Sequence, residues 1–167
     1  MEEKFTGWRK PRRVNAEWQY KFELYDRIQA DRLPLPLAQR TPEYRRLRFK
    51  DKRLLSFNPW ALGSGPIYYM AKRMWHKASL LAGATLILWL ILIVLEAVSE
   101  LMLHWTLFWV PVAILCSYCA SHDYYRLLVG GETMWRCMPG HFATRAGALA
   151  VLIVPLLLAG IAFIYLR

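Results

Sequence analysis

The chain has 167 residues, of which 56% are hydrophobic, and its 22 Lys and Arg against 12 Asp and Glu give a formal net charge of +10. Eighteen of the basic side chains precede Ala78, whereas three long apolar segments follow Lys77. A chain of this length cannot bury three such segments on every side in water. The composition therefore excludes an ordinary soluble domain and predicts a basic head attached to a small membrane anchor.

Residues 1–55 form the predicted head, a basic cytoplasmic region with one amphipathic helix over about residues 15–32. Asn15 is a candidate N-cap, and Glu17 and Lys21 have the spacing of an i,i+4 ion pair. The apolar side chains recur at helical spacing and share one face: Trp18, Phe22, Tyr25 and Ile28. Further along, a basic run includes Arg45, Arg46 and Arg48. Because anionic lipid is the nearest polyanion, the run predicts contact with the membrane surface, and nucleic acid is not expected as a partner.

Residues 56–77 form a predicted juxtamembrane elbow. Pro59 and Pro66 interrupt a helix, and Gly63 and Gly65 permit a bend between them. Amphipathic aromatic and basic side chains belong at the level of the lipid headgroups. The predicted membrane-surface residues of the elbow are Trp60, Tyr68, Tyr69, Lys72, Arg73, Trp75 and Lys77.

The segment FNPWALGSGPIYYMAKRMW, followed directly by an apolar helix, resembles the hallmark of a group of small bacterial inner-membrane proteins of unknown function. Members share an aromatic–Ala–hydrophobic–Gly–Pro–aromatic elbow and a Met-Trp pair before the first span. The resemblance covers about residues 57–92, and the head at residues 1–50 stands outside it. The resemblance implies a bacterial inner-membrane location, and it does not indicate an activity because the group has none assigned.

Three apolar segments at 78–98, 101–120 and 146–166 are long enough to cross a bilayer as helices. Basic residues before the first segment and in the 121–145 loop predict cytoplasmic positions, so the expected topology is N-in and C-out. The fold class is thus an all-α membrane protein with three transmembrane helices. Small residues that would allow close helix packing are Ala78, Ala82, Gly83, Ala146 and Ala150.

Two groups of polar residues suggest alternative functions. Glu96, Glu100 and His104 lie near the outer hairpin and would form the ion or proton relay of a small oligomeric channel or transporter. Cys116, Cys119 and His122 have helical spacing that could bring a metal or redox site together. Cysteines in membrane helices more often serve close packing, so no metal or other cofactor is predicted.

No catalytic motif is visible in the sequence, and an enzyme is not expected. The predicted function is that of a non-enzymatic inner-membrane interaction protein, such as an accessory subunit or an immunity-type protein. Its helices would pack against another membrane protein or another copy of the chain, and its basic surface would contact anionic lipid of the inner leaflet.

Overall fold

The computed structural model describes residues 14–99, 102–104 and 106–165. Within these ranges every regular element is a helix. The helices are α1 (Ala16–Arg27), α2 (Leu35–Ala38), α3 (Pro42–Arg46), α4 (Phe49–Ser56), α5 (Pro59–Ser64), α6 (Pro66–Ala71), α7 (Trp75–Ser99), α8 (Thr106–Gly130), the 3-10 helix Gly140–Ala143, and α9 (Arg145–Tyr165).

The described chain divides into two compact units. The head unit contains the residues up to Asn58 together with Tyr118–Glu132, and the apolar unit contains Pro59–Ser117 together with the residues from Thr133 onward. The first half of helix α8 therefore belongs to the apolar unit, and its second half belongs to the head unit.

Helix α1 begins where the sequence predicts. The Asn15 Oδ1 atom accepts a hydrogen bond from the Trp18 N–H at 3.1 Å, which makes Asn15 the N-cap. The predicted end near Arg32 is wrong, because the helix ends at Arg27 and Gln29 takes a left-handed conformation with φ of 53°. The Ala30 N–H then bonds the Tyr25 carbonyl at 3.0 Å, which closes the helix end.

The head unit has its own hydrophobic core, and the predicted apolar face of α1 supplies much of it. Tyr25 of α1 stacks on Tyr125 of α8 with ring centroids 5.0 Å apart. Trp18 meets Tyr124 edge-on at 4.8 Å. The buried members of this core are Phe22, Leu24, Tyr25, Ile28, Ala30, Leu35, Ala38, Leu55 and Tyr125.

Helix α8 differs from the predicted second segment at both ends. Residues 102–104 are not helical and the helix starts at Thr106, whereas a start at residue 101 was predicted. It continues past Ala120 to Gly130, so residues 121–130 are helix rather than loop. No Gly or Pro lies between Pro111 and Gly130, and Ser121, His122, Asp123 and Tyr125 are buried, which explains the extension.

The apolar unit contains α7 packed against α9. The two helices approach closely at Gly83 of α7, where an added Cβ atom would overlap the carbonyl oxygen of Val151. By length and composition, α7 is the helix in the described ranges that could cross a membrane, and only 22% of its most apolar window is buried. The described apolar stretch of α9, Ala146–Leu158, is shorter.

Candidate functional site

An exposed basic surface lies at the corner between α3 and α4 of the head unit. It is formed by Arg45, Arg46, Arg48, Phe49 and Lys50 and is called here the basic corner. The residue that ends α3 and the residue that precedes α4 both have extended backbone, with ψ of 147° and 152°. These two extended residues interrupt the helical backbone between α3 and α4. All five residues are exposed, and the Phe49 ring is 80% exposed.

Neighbouring polar groups are engaged within the head unit. The Tyr20 hydroxyl donates a hydrogen bond to Asp51 Oδ1 at 2.8 Å. The Lys52 ammonium donates to the Arg45 carbonyl at 2.9 Å and lies 5.8 Å from the centre of the Tyr44 ring. These hydrogen bonds hold Asp51 and Lys52 against the head unit, whereas the four basic side chains of the corner remain exposed.

Side-chain hydrogen bonds fix α3 and α4 in place behind the corner. Thr41 Oγ1 accepts from the Tyr44 N–H at 3.3 Å and caps α3. The hydroxyls of Tyr44 and Ser56 are 3.0 Å apart, and the buried Tyr25 hydroxyl donates to the Leu55 carbonyl at 2.8 Å. The corner is thus presented by a folded support.

A buried polar layer joins α1 to the second half of α8, and the sequence interpretation did not find it. The Tyr125 hydroxyl donates to Asp26 Oδ1 at 2.5 Å, and His122 Nε2 lies 3.1 Å from the Ala30 carbonyl. Burial raises the pKa of Asp26, and the hydrogen bond from Tyr125 partly opposes that rise. Burial, followed by the bond to Asp26, raises the pKa of Tyr125. The signal was the helical spacing of Tyr118, His122 and Tyr125, which continues past the predicted end of the span at residue 120.

The predicted elbow residues separate into two groups in the apolar unit. Trp60, Trp75 and Arg73 are exposed, and Trp60 is 79% exposed. Tyr69 and Lys77 are buried, and the Lys77 ammonium lies 5.5 Å from the centre of the Trp135 ring. The expectation that these two side chains face lipid is wrong, because each packs inside the protein.

The other elbow residues keep an intermediate position and a bent backbone. Tyr68 and Lys72 are half-buried, with the Lys72 ammonium 5.8 Å from the centre of the Tyr68 ring. Gly65 has φ of 53°, and a Cβ atom there would lie 3.1 Å from the Trp109 ring. The predicted bend is therefore present at Gly65, where a side chain would be both strained and crowded.

The predicted helix-packing residues are only partly used between α7 and α9. Ala78 and Gly83 are buried and Ala82 is half-buried. Ala146 and Ala150 are exposed, so they do not pack against the described helices, and their packing against another membrane protein stays a prediction. Helix α9 instead buries Ala148 and Pro155, because the face containing Val151 meets Gly83.

The residues of the alternative relay take local roles at helix ends. Glu96 Oε1 accepts from the Leu103 N–H at 3.3 Å, and His104 Nδ1 lies 2.9 Å from Thr106 Oγ1. Glu100, the third predicted member, lies outside the described residues. The Glu96 contact ties the end of α7 to the connection before α8, and the His104 contact is local to the start of α8.

The alternative metal residues do not assemble into a site in the described part of the chain. No group of three His, Cys, Asp or Glu side chains there is placed to hold a metal ion. Cys116 and His122 are buried and Cys119 is half-buried. Together with Cys137, the two cysteines form no disulfide among the described residues.

These features define an all-helical protein with a polar, aromatic-cored head unit and an apolar unit. The chain belongs to a family described as a protein of unknown function, DUF2628, whose model matches residues 21–129. The match includes most of the head unit, so the expectation that the head stands outside the family is wrong from residue 21 onward. No curated protein and no solved structure matches the chain.

Proposed function

We propose that the chain is a multi-pass protein of the bacterial inner membrane, with three membrane-spanning helices and a cytoplasmic N-terminus. The observation that carries this proposal is the exposure of α7, of which only 22% of the most apolar window is buried. Its outward side chains are large and aliphatic, among them Ile87, Ile91, Ile93, Val94 and Leu95. In water such a surface would drive aggregation, whereas in lipid it is the expected surface of a spanning helix.

Two further helices support the three-span arrangement. Helix α9 packs on α7 and exposes Ile153, Leu157 and Ile161 on its outer side. The first half of α8 exposes Leu107, Val110, Ile114 and Leu115. The exposed Trp60 and Trp75 of the elbow are typical of residues at a membrane–water interface, and the Lys and Arg excess before α7 favours a cytoplasmic N-terminus.

Reporter fusions test this topology. A fluorescent protein fused after residue 131 should fluoresce, because that loop is proposed to be cytoplasmic. Alkaline phosphatase fused after residue 99 or residue 167 should be active, because both positions are proposed to face the periplasm. Active phosphatase after residue 131, or extraction of the protein by alkaline carbonate, would contradict the proposal.

Within the membrane we propose a non-enzymatic role, in which an outward helix face packs against another membrane protein or a second copy of the chain. Leu157 of α9 and Ile91 of α7 are both exposed and can each be replaced by a photo-crosslinking amino acid. A specific partner should give one defined adduct from only one of these positions. Equal, diffuse adducts from both would indicate random collisions and would contradict the interaction role.

A further inference from the structure

We propose that the basic corner binds the anionic phospholipid surface, with Phe49 entering the headgroup layer and Arg45, Arg46, Arg48 and Lys50 contacting lipid phosphates. This inference rests on the proposed membrane location, since it requires a bilayer near the head unit. It goes further by assigning a ligand class and a residue set to one surface of that unit.

The position of Phe49 is the first argument. Helix α4 has an inner side, on which Leu55 is completely buried, and Phe49 at the first helical position is 80% exposed. Moving an exposed Phe side chain out of water is favourable, so the Phe49 ring would gain free energy by entering an apolar environment. Its direct neighbours are Arg48 and Lys50, a combination typical of residues that enter an anionic membrane interface.

Charge is the second argument. Four outward basic side chains surround Phe49, while Asp51 is held by the Tyr20 hydroxyl at 2.8 Å. Each basic residue near an anionic leaflet strengthens association by roughly fivefold, so four of them together provide about 600-fold. Glu43 on the adjoining helix and Asp51 in α4 each offset part of that gain, because a hydrogen bond from a neutral hydroxyl does not cancel the charge of a carboxylate.

The short chain segment between the basic corner and the proposed span favours lipid over other polyanions as the ligand. Helix α4 ends at Ser56 and the apolar helix α7 begins at Trp75, so a short segment connects the corner to the proposed span. A short tether gives the corner a high effective concentration of membrane surface. The hydrogen bonds that hold α3 and α4 also reduce the conformational entropy lost on binding.

Hydrogen exchange of the full chain in lipid nanodiscs tests the proposal. The discs contain phosphatidylcholine alone or an equal mixture with phosphatidylglycerol. We expect amides of residues 47–50 to exchange at least several-fold more slowly in the anionic discs, and added salt should reverse this effect. The triple variant Arg46→Gln/Arg48→Gln/Lys50→Gln and the single variant Phe49→Ser should each reduce the difference.

The matched control is Arg32→Gln/Arg40→Gln, which removes two exposed charges of the head unit outside the corner. It should retain the slower exchange. The inference would be overturned if amides of residues 47–50 exchanged equally fast in both kinds of disc. It would also be overturned if the control variant lost the difference between the discs as fully as the triple variant does. If the chain inserts into the discs but the exchange of residues 47–50 does not depend on lipid charge, only the proposed role of the basic corner is refuted. If the chain does not insert, the proposed membrane location is refuted.

Discussion

At the scale of single residues, the contact between Tyr125 and Asp26 illustrates how the head unit balances burial against hydrogen bonding. Burial raises the pKa of Asp26, and the hydroxyl of Tyr125, 2.5 Å away, opposes that rise by stabilising the ionised carboxylate. Because the folded pKa is raised above its unfolded value of 3.8, folding favours the protonated carboxyl. The contribution of Asp26 to stability is therefore largest in acid and decreases as the pH rises through the folded pKa.

Tyr125→Phe removes this hydrogen bond while keeping the stacked ring. Since the acceptor is charged at neutral pH, we expect a loss of about 1.5–3 kcal/mol in the free energy of unfolding. The loss should become smaller below the pKa of Asp26, where the carboxyl is protonated. Thermal unfolding of the two proteins in detergent, measured from acid to neutral pH, gives the loss of stability at neutral pH and the smaller loss in acid. Tyr20→Phe is the control, because its bond to Asp51 is exposed, and a loss as large as that of Tyr125→Phe would contradict the argument.

At the scale of elements, α1 and α6 end in the same way. Gln29 and Arg73 have φ of 53° and 61°, and the next residue of each donates a hydrogen bond back across the helix end. A non-glycine residue in this left-handed conformation is strained by about 1–2 kcal/mol. Both helices therefore stop without glycine, which explains why the sequence did not indicate the end of α1.

Gln29→Gly should stabilise the head unit, because glycine takes the left-handed conformation without strain. Part of the gain is offset by the greater entropy of glycine in the unfolded chain, which leaves about 0.5–1 kcal/mol. Gln29→Ala is the matched control and should give no gain, since alanine keeps the same steric conflict. The measurement is the midpoint of thermal unfolding, and equal effects of the two substitutions would exclude this explanation.

The close approach of α7 and α9 gives a second prediction at this scale. Gly83→Ala places a methyl group against the Val151 carbonyl and should cost about 1–3 kcal/mol from overpacking, partly offset by better helix propensity. Gly160→Ala on α9 is the control, because nothing lies within 4 Å of its added Cβ. Loss of helical circular dichroism on heating in detergent should occur earlier only for Gly83→Ala. Equal shifts in the two variants would contradict a tight contact at Gly83.

The elements that follow local rules were predictable from the sequence. Asn15 capped α1 and the apolar face of α1 became core, because both depend on neighbouring residues. The buried states of Tyr69 and Lys77 were not predictable, since they depend on packing with residues far along the chain, such as Trp135 for Lys77. For the same reason the exposed Phe49 of the basic corner could not be distinguished from a core residue by its spacing.

At the scale of the whole molecule, the head unit is assembled from two separate parts of the chain. Residues up to Asn58 supply α1 to α4, and Tyr118–Glu132 supplies the second half of α8. Tyr118 donates to Gln39 at 2.5 Å, and the Asn58 amide donates to Ser121 at 3.2 Å, so the later segment contributes polar contacts as well as Tyr125. The N-terminal segment therefore lacks a complete core when it is taken alone.

This discontinuity predicts that a substitution late in the chain unfolds a structure near its start. Tyr125→Ala deletes a completely buried ring from the core of the head unit and should cost about 3–5 kcal/mol. Amides of residues 16–56 should then exchange faster with deuterium, whereas amides of α7 should keep their protection, because α7 belongs to the other unit. Leu128→Ala, at a more exposed position of the same helix, is the control and should leave both regions unchanged. Unaltered exchange of residues 16–56 in Tyr125→Ala would show that the N-terminal helices fold without α8, and faster exchange of α7 would show that the two units unfold together.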